Sequence, residues 1–121
     1  MTLSLTPAEL ARRRPIWTAL SALFLDTELE EADYRHLARV LRDSGCSPDE
    51  WRTILRDEVA PVVGGHLLGT AGEWAGFDGT WLEAAVLARP ARPTLTGRWA
   101  LRLIAPDLRR LERAYAALTR S

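Results

Sequence analysis

Several groups of side chains in this sequence have types and spacings that invite chemistry, and most of them fail on inspection. Asp26-Thr27-Glu28-Leu29-Glu30-Glu31-Ala32-Asp33 places five carboxylates in eight residues, a density that invites a calcium-loop reading. An EF-hand loop counted from Asp26 needs glycine at its sixth position and a bidentate glutamate at its twelfth; Glu31 and Leu37 stand there instead. Acids also gather at the first turn of a helix, where they meet the positive end of its dipole, and that is the reading the run supports. Asp33 and His36 are three apart, like the carboxylate and imidazole of a di-iron bundle, but such a centre needs a second copy and the chain has none. The paired glycines of Val62-Val63-Gly64-Gly65-His66-Leu67-Leu68-Gly69 mark a helix stop and a fresh apolar turn, and the run lacks the Lys-Ser/Thr that completes a phosphate-cradling loop. Ser21 sits in an apolar run and Cys46 has no His at a telling spacing, so neither reads as a nucleophile. No catalytic residue, metal ligand or cofactor is expected.

Two groups survive this filter. Ala71 to Trp81 holds three glycines and three aromatics in eleven residues. Trp74 and Phe77 either plug a connecting loop into the core or wall a shallow pocket with Glu73 inside it, and Glu73, Trp74 and Phe77 are the candidate small-molecule pocket. Near the end of the chain, Arg102, Arg109, Arg113 and Arg120 fall within about 40° of one another on a continuous helix, a basic ridge facing solvent or a partner. Trp99 and Leu103 lie beside that ridge, off the main apolar seam, so this part of the helix is either sandwiched in the fold or part of an interface. These six residues are the candidate partner contacts.

Such groups need elements to hold them. Eight of the ten residues from Ile16 to Leu25 are apolar, so that helix needs neighbours on every face. The expected fold is all-α: a single domain over residues 1–121, with five to six helices around a central apolar helix at about 15–25. Thr6-Pro7-Ala8-Glu9 and Ser47-Pro48-Asp49-Glu50 read as capping boxes with Pro at the first helical position. Pro15 is expected to bend the chain ahead of the central helix, with Arg12, Arg13 and Arg14 as a solvated collar. Tyr34, Leu37, Ala38 and Leu41 mark a second helix, stopped by Ser44-Gly45; Trp51, Ile54, Leu55 and Val59 mark a third, ended or kinked by Pro61 near Val59. Asp78 is expected to cap a helix from Gly79 to Ala88, with Trp81, Leu82, Ala85 and Val86 turned inward. Leu101, Ile104, Leu108, Leu111, Tyr115 and Leu118 then form one seam, read as a long C-terminal helix kinked at Pro106.

At 121 residues the chain can bury roughly two thirds of its unfolded surface. It has one cysteine and no apolar run of membrane-spanning length, and its N-terminus lacks the charge and apolar core of a signal peptide. A reduced, cytoplasmic setting without membrane insertion follows as the expectation. All sixteen basic residues are Arg, which reads as the codon usage of a GC-rich bacterial genome. The net charge of zero conceals a segregation: residues 1–88 hold eight Arg and fourteen acids, residues 89–121 eight Arg and two acids. The two regions either attract each other within the fold or face a partner.

The run RRPIWTALSALFLDTEL, with the later EVAPVVGG and AGEWAGFD, resembles an uncharacterised family of short bacterial proteins across about residues 12–82. That resemblance implies no activity, cofactor or site residue. The expected function is therefore a non-catalytic protein–protein interaction module: an adaptor, an immunity-like protein or a self-associating subunit. The alternative is nucleic-acid binding through the Arg ridge. A small-molecule-binding protein or enzyme built on the Glu73/Trp74 loop is the third reading.

Overall fold

The computed structural model describes residues 4–25, 29–68 and 79–119. Both capping boxes open helices as expected. Thr6 Oγ1 accepts the N–H of Glu9 at 3.2 Å, opening α1 (Pro7–Leu25). Asp33 Oδ2 accepts the N–H of Glu30 at 2.8 Å, opening α2 (Glu31–Asp43), so Asp33 serves as a cap. Ser47 Oγ accepts from Glu50 N–H and opens α3 (Pro48–Ile54). A π turn at Leu55–Val59 joins α3 to α4 (Ala60–Leu68). Then follow α5 (Gly79–Leu87), α6 (Leu95–Leu103) and α7 (Ala105–Thr119). With α3 and α4 fused into one rod, the described residues form six helices and no strand.

The chain between α2 and α3 turns by a Schellman motif. Gly45 has φ 71°, its N–H donates to the Arg42 carbonyl, and the Cys46 N–H donates to the Leu41 carbonyl. Three carbonyls of this turn are claimed by distant side chains. Arg12 donates to Ser44 and Gly45, and the Tyr115 hydroxyl donates to Cys46 at 2.7 Å.

Three expectations at prolines are corrected. Helix α1 runs unbroken through Pro15; Pro15 and Ala11 are both exposed, so water can satisfy the Ala11 carbonyl that Pro15 leaves without a donor. The α3–α4 rod likewise continues through Pro61. The π turn has the Ala60 N–H donating five residues back to Leu55, and the Asp57 carbonyl, which Pro61 cannot serve, accepts from Arg92 N–H at 3.2 Å and Arg89 Nη1 at 3.0 Å. The connector before α6 thus supplies what the proline withholds. Near the C-terminus the opposite occurs: there are two helices, not one kinked helix. Ile104, at φ −103° and ψ 11°, ends α6, and its carbonyl accepts from Leu108 N–H to start α7, with Pro106 in the first turn. The apolar seam still faces inward across the break, with Ile104, Leu111 and Tyr115 buried.

Helix α1 is a hub, but for fewer neighbours than its composition implies. It contacts α2, α4, α5 and the π turn, whereas α6 packs chiefly on α4 and α7 on α2. Ile16, Trp17, Leu20 and Leu23 are fully enclosed. One side stays open: Pro15 and Thr18 are exposed and, with Ala19, Ala22, His36, Leu37 and Val40, border a groove of about 320 Å³ between α1 and α2. In α5, Leu82 and Val86 turn inward as expected, while Trp81 keeps an exposed side.

The paired glycines at 64 and 65 do not stop the helix. Gly64 lets α4 approach α6 so closely that a Cβ on it would stand 2.5 Å from the Thr96 carbonyl oxygen. Gly97 makes the reciprocal approach: a Cβ on it would stand 3.0 Å from Pro61 N and 3.2 Å from Ala60 C.

Candidate functional site

Arg12, Arg13 and Arg14 are not a solvated collar. Successive residues on a helix point about 100° apart, and here each guanidinium fastens a different neighbour. Arg12 binds Glu9, Glu50 and the two turn carbonyls. Arg13 binds Glu9 at 2.8 Å and Glu58 at 2.7 Å. Exposed Arg14 reaches Glu83 on α5 at 2.9 Å. Glu58 is buried, 4% exposed, and its other oxygen accepts the Trp17 indole N–H at 2.8 Å. The network locks α1 to the α2–α3 turn, the π turn and α5.

Its electrostatics make acid the weak point of the fold. The Arg13 guanidinium holds the Glu9 carboxyl below its usual value of 4.5, and that of Arg12 does the same for Glu50. A carboxyl whose folded-state pKa is depressed contributes stability above its unfolded pKa and loses it as the pH falls through the folded one. Melting temperature is therefore expected to decline as the pH drops below about 4.5, and Glu50→Gln should flatten that decline. Equal slopes for the two proteins would refute the assignment.

Among the described residues, the Cys46 thiol and the Ser21 and Tyr34 hydroxyls are buried or already bonded. Burial, reinforced by the nearby Glu50 carboxylate, pushes the Cys46 thiol up to about 12. Ser21 is buried and donates to the Thr18 carbonyl at 2.8 Å. Burial and a hydrogen bond to Asp107 also push the Tyr34 hydroxyl up to about 12.

Two accessible features involve the last two helices. On α6, Trp99 is 39% and Leu103 56% exposed, and Leu95, four residues before Trp99, is 83% exposed. At 100° per residue these three span about 80°, opposite Gly97, Ala100 and Ile104, which are buried. Arg98 and Arg102 are exposed along one border of this stripe. Leu95 was missed by the sequence reading, although its i, i+4, i+8 spacing with Trp99 and Leu103 was there to find.

The break at Ile104 divides the expected ridge: Arg102 is on α6, Arg109 and Arg113 on α7. Arg120 lies outside the described residues, as do Glu73, Trp74 and Phe77 of the candidate pocket and the cap residue Asp78. Arg109 and Arg113 instead join Arg52 of α3, with Glu112 and Ala116, around an open cleft of about 660 Å³. Arg52 stacks over the Trp51 ring at 5.4 Å and binds Glu112 at 2.9 Å. Arg110, by contrast, is turned toward α2, 4.5 Å above the Tyr34 ring and 3.4 Å from Glu31. Part of the segregated charge is thus neutralised inside the chain, and part is left facing out.

Fold and site together define an all-α single-domain protein, locked internally by an Arg/Glu network, whose exposed features include an apolar helix face and a basic cleft. The chain belongs to the family described as Domain of unknown function (DUF7079), whose model matches residues 11–118. That match extends beyond the motifs that first carried the resemblance and takes in α6 and nearly all of α7. No curated protein and no solved structure matches the chain. Among the described residues no helix is long and apolar enough to cross a membrane.

Proposed function

We propose that this protein is a non-catalytic protein–protein interaction module and that the Leu95–Trp99–Leu103 stripe of α6 is its docking face. The observation that carries this reading is the exposure of three large apolar side chains on a helix whose other side is anchored by backbone-to-backbone contact at Gly64 and Gly97. Fully burying one such side chain is worth roughly 1.5–3 kcal/mol, and a helix that is already formed presents them without a backbone ordering cost. Arg98 and Arg102 on the border select a partner segment that is apolar in the middle and acidic at its edge. An antiparallel pairing of two copies would bring both Arg borders to the same side, like charge against like, which favours a different protein over self-association.

Trp99→Ala combined with Leu103→Ser should lower the melting temperature, because Trp99 is only 39% exposed, yet leave a cooperative melt and an unchanged helical circular-dichroism spectrum, since neither side chain belongs to the buried core cluster. Affinity capture from the native host should retain a defined partner on the natural protein and lose it on this variant. Capture of nothing by either protein, or equal capture by both, would sink the proposal.

Nucleic-acid binding is the second reading. It draws on Arg102, Arg109 and Arg113, which are exposed and have no acidic partner among the described residues. Their division between two helices and a pI near 6.7 weaken it. A gel-shift series settles the matter: absence of any shift at low salt eliminates this reading.

A further inference from the structure

We infer that the cleft between α3 and α7, bordered by Arg52, Arg109 and Arg113, is a binding site for the phosphate group of a small phosphorylated molecule. It is separate from the α6 docking face and does not depend on it. Three guanidinium-bearing residues and one carboxylate, Glu112, line the depression, so its wall carries a net charge of +2 (three minus one). Arg109 and Arg113 are one helical turn apart, both exposed, and neither has an acidic partner among the described residues. Like charges at this spacing repel one another, and the fold leaves that repulsion standing. Arg35 with Arg39 and Arg98 with Arg102 have the same spacing and likewise no acidic partner among the described residues; what sets Arg109 and Arg113 apart is a third guanidinium-bearing residue, Arg52, on the same cleft.

Arg52 is the prepared member. Stacking on Trp51 and the bond to Glu112 fix its plane, while its side chain remains 46% exposed. Its Nη2 binds Glu112 and its Nη1 lies 3.6 Å from Asp49, whose side chain is fully exposed, so a phosphate would take the N–H groups that Glu112 leaves over and displace Asp49 to water. Two further guanidiniums across the opening suit a dianion better than a single carboxylate. The cleft is wide enough for the organic part of the ligand, and Ala116 with the arginine stems offers that part an apolar floor.

A nucleic-acid backbone is a poorer fit. Acids interrupt the surface on both helices: Asp49 is fully exposed and pairs with Arg52 at 3.6 Å, Glu112 stands in the cleft itself, and Arg102 belongs to another helix. The basic surface is a spot, not a track.

The test is isothermal calorimetry of the full chain with sodium pyrophosphate at low ionic strength, against sodium chloride of matched ionic strength. Sodium citrate and a 20-nucleotide single-stranded DNA are run as further arms. The expected result is a saturable 1:1 isotherm with pyrophosphate, weakened at least tenfold by Arg109→Gln or Arg113→Gln and abolished by the pair. Arg102→Gln, outside the cleft, should leave it unchanged. Without ligand, the two cleft variants should melt at or above the natural protein's temperature, since each relieves repulsion; a purely structural arginine would lower it. Heats no larger than those of chloride, or full binding by the double variant, would overturn the site. Tighter binding of citrate would overturn the phosphate assignment, and a far tighter, cleft-dependent association with the DNA would overturn the small-molecule assignment.

Discussion

Gly64→Ala is expected to destabilise the protein by about 1–3 kcal/mol, although alanine is the better helix former. The added methyl would meet the Thr96 carbonyl oxygen at 2.5 Å, the Thr96 carbonyl carbon at 2.8 Å and Gly97 N at 3.1 Å. All three are backbone atoms in the first turn of α6, so no rotamer change can make room and the helix itself must retreat. Overpacking of this kind costs roughly 1–3 kcal/mol and occasionally more, against which alanine returns up to about 1 kcal/mol of propensity. The neighbouring position gives the opposite sign. Gly65 is exposed with nothing within 4 Å of its added Cβ, so Gly65→Ala should stabilise by about 0.5–1 kcal/mol. Urea unfolding of the two variants side by side is the measurement, and a Gly64→Ala protein at least as stable as Gly65→Ala would refute the close crossing. Because α6 carries Trp99 and Leu103, a retreating α6 should also weaken partner capture, which Gly65→Ala should leave intact.

That crossing was hidden in the sequence, where Gly64-Gly65 looks like a stop signal. A glycine inside a helix and a glycine after one have the same composition, and only the partner helix tells them apart. The prolines mislead for a related reason. Pro15 and Pro61 are tolerated because an exposed flank and the Arg89–Arg92 connector satisfy the carbonyls they orphan, and neither circumstance is local. What was legible was local: the caps at Thr6 and Ser47, the Gly45 turn, and the stripes of Tyr34–Leu41 and Trp51–Leu55. Trp99 and Leu103 were legible only as surplus apolar surface off the seam, which the sequence leaves either sandwiched in the fold or part of an interface; their exposure depends on which helices pack on α6. The cleft was not, since Arg52 is 57 residues from Arg109 in the sequence and no periodicity links α3 to α7.

Glu58 shows how close a sequence pattern can come to a decisive residue and miss it. It lies seven residues after Trp51, on the face that also carries Ile54 and Leu55, yet as a carboxylate it does not read as core. The π turn widens that face, so that Glu58, Val59, Ala60, Val62 and Val63 are all buried. Glu58→Ala is therefore expected to be the most damaging single replacement of a charged residue in this protein. It would leave the Trp17 indole N–H, in a residue 1% exposed, without an acceptor, and would strip Arg13 of one of its two carboxylates. Removing one partner of a buried ion pair costs about 3–5 kcal/mol. The lower end applies, because the Arg13 side chain keeps 19% exposure and can turn partly to water. Glu58→Gln retains an oxygen for Trp17 but loses the charge on Arg13, and should cost about half as much. The informative variant is the double replacement Arg13→Met/Glu58→Leu, which removes both charges at once. If the loss in Glu58→Ala comes from a stranded buried cation, the double variant should recover a substantial part of it; if it comes from the lost Trp17 bond, it should not. Equilibrium urea denaturation followed by circular dichroism separates these cases, and a Glu58→Ala protein within about 1 kcal/mol of the natural one would mean that the network does not hold α1 to the π turn.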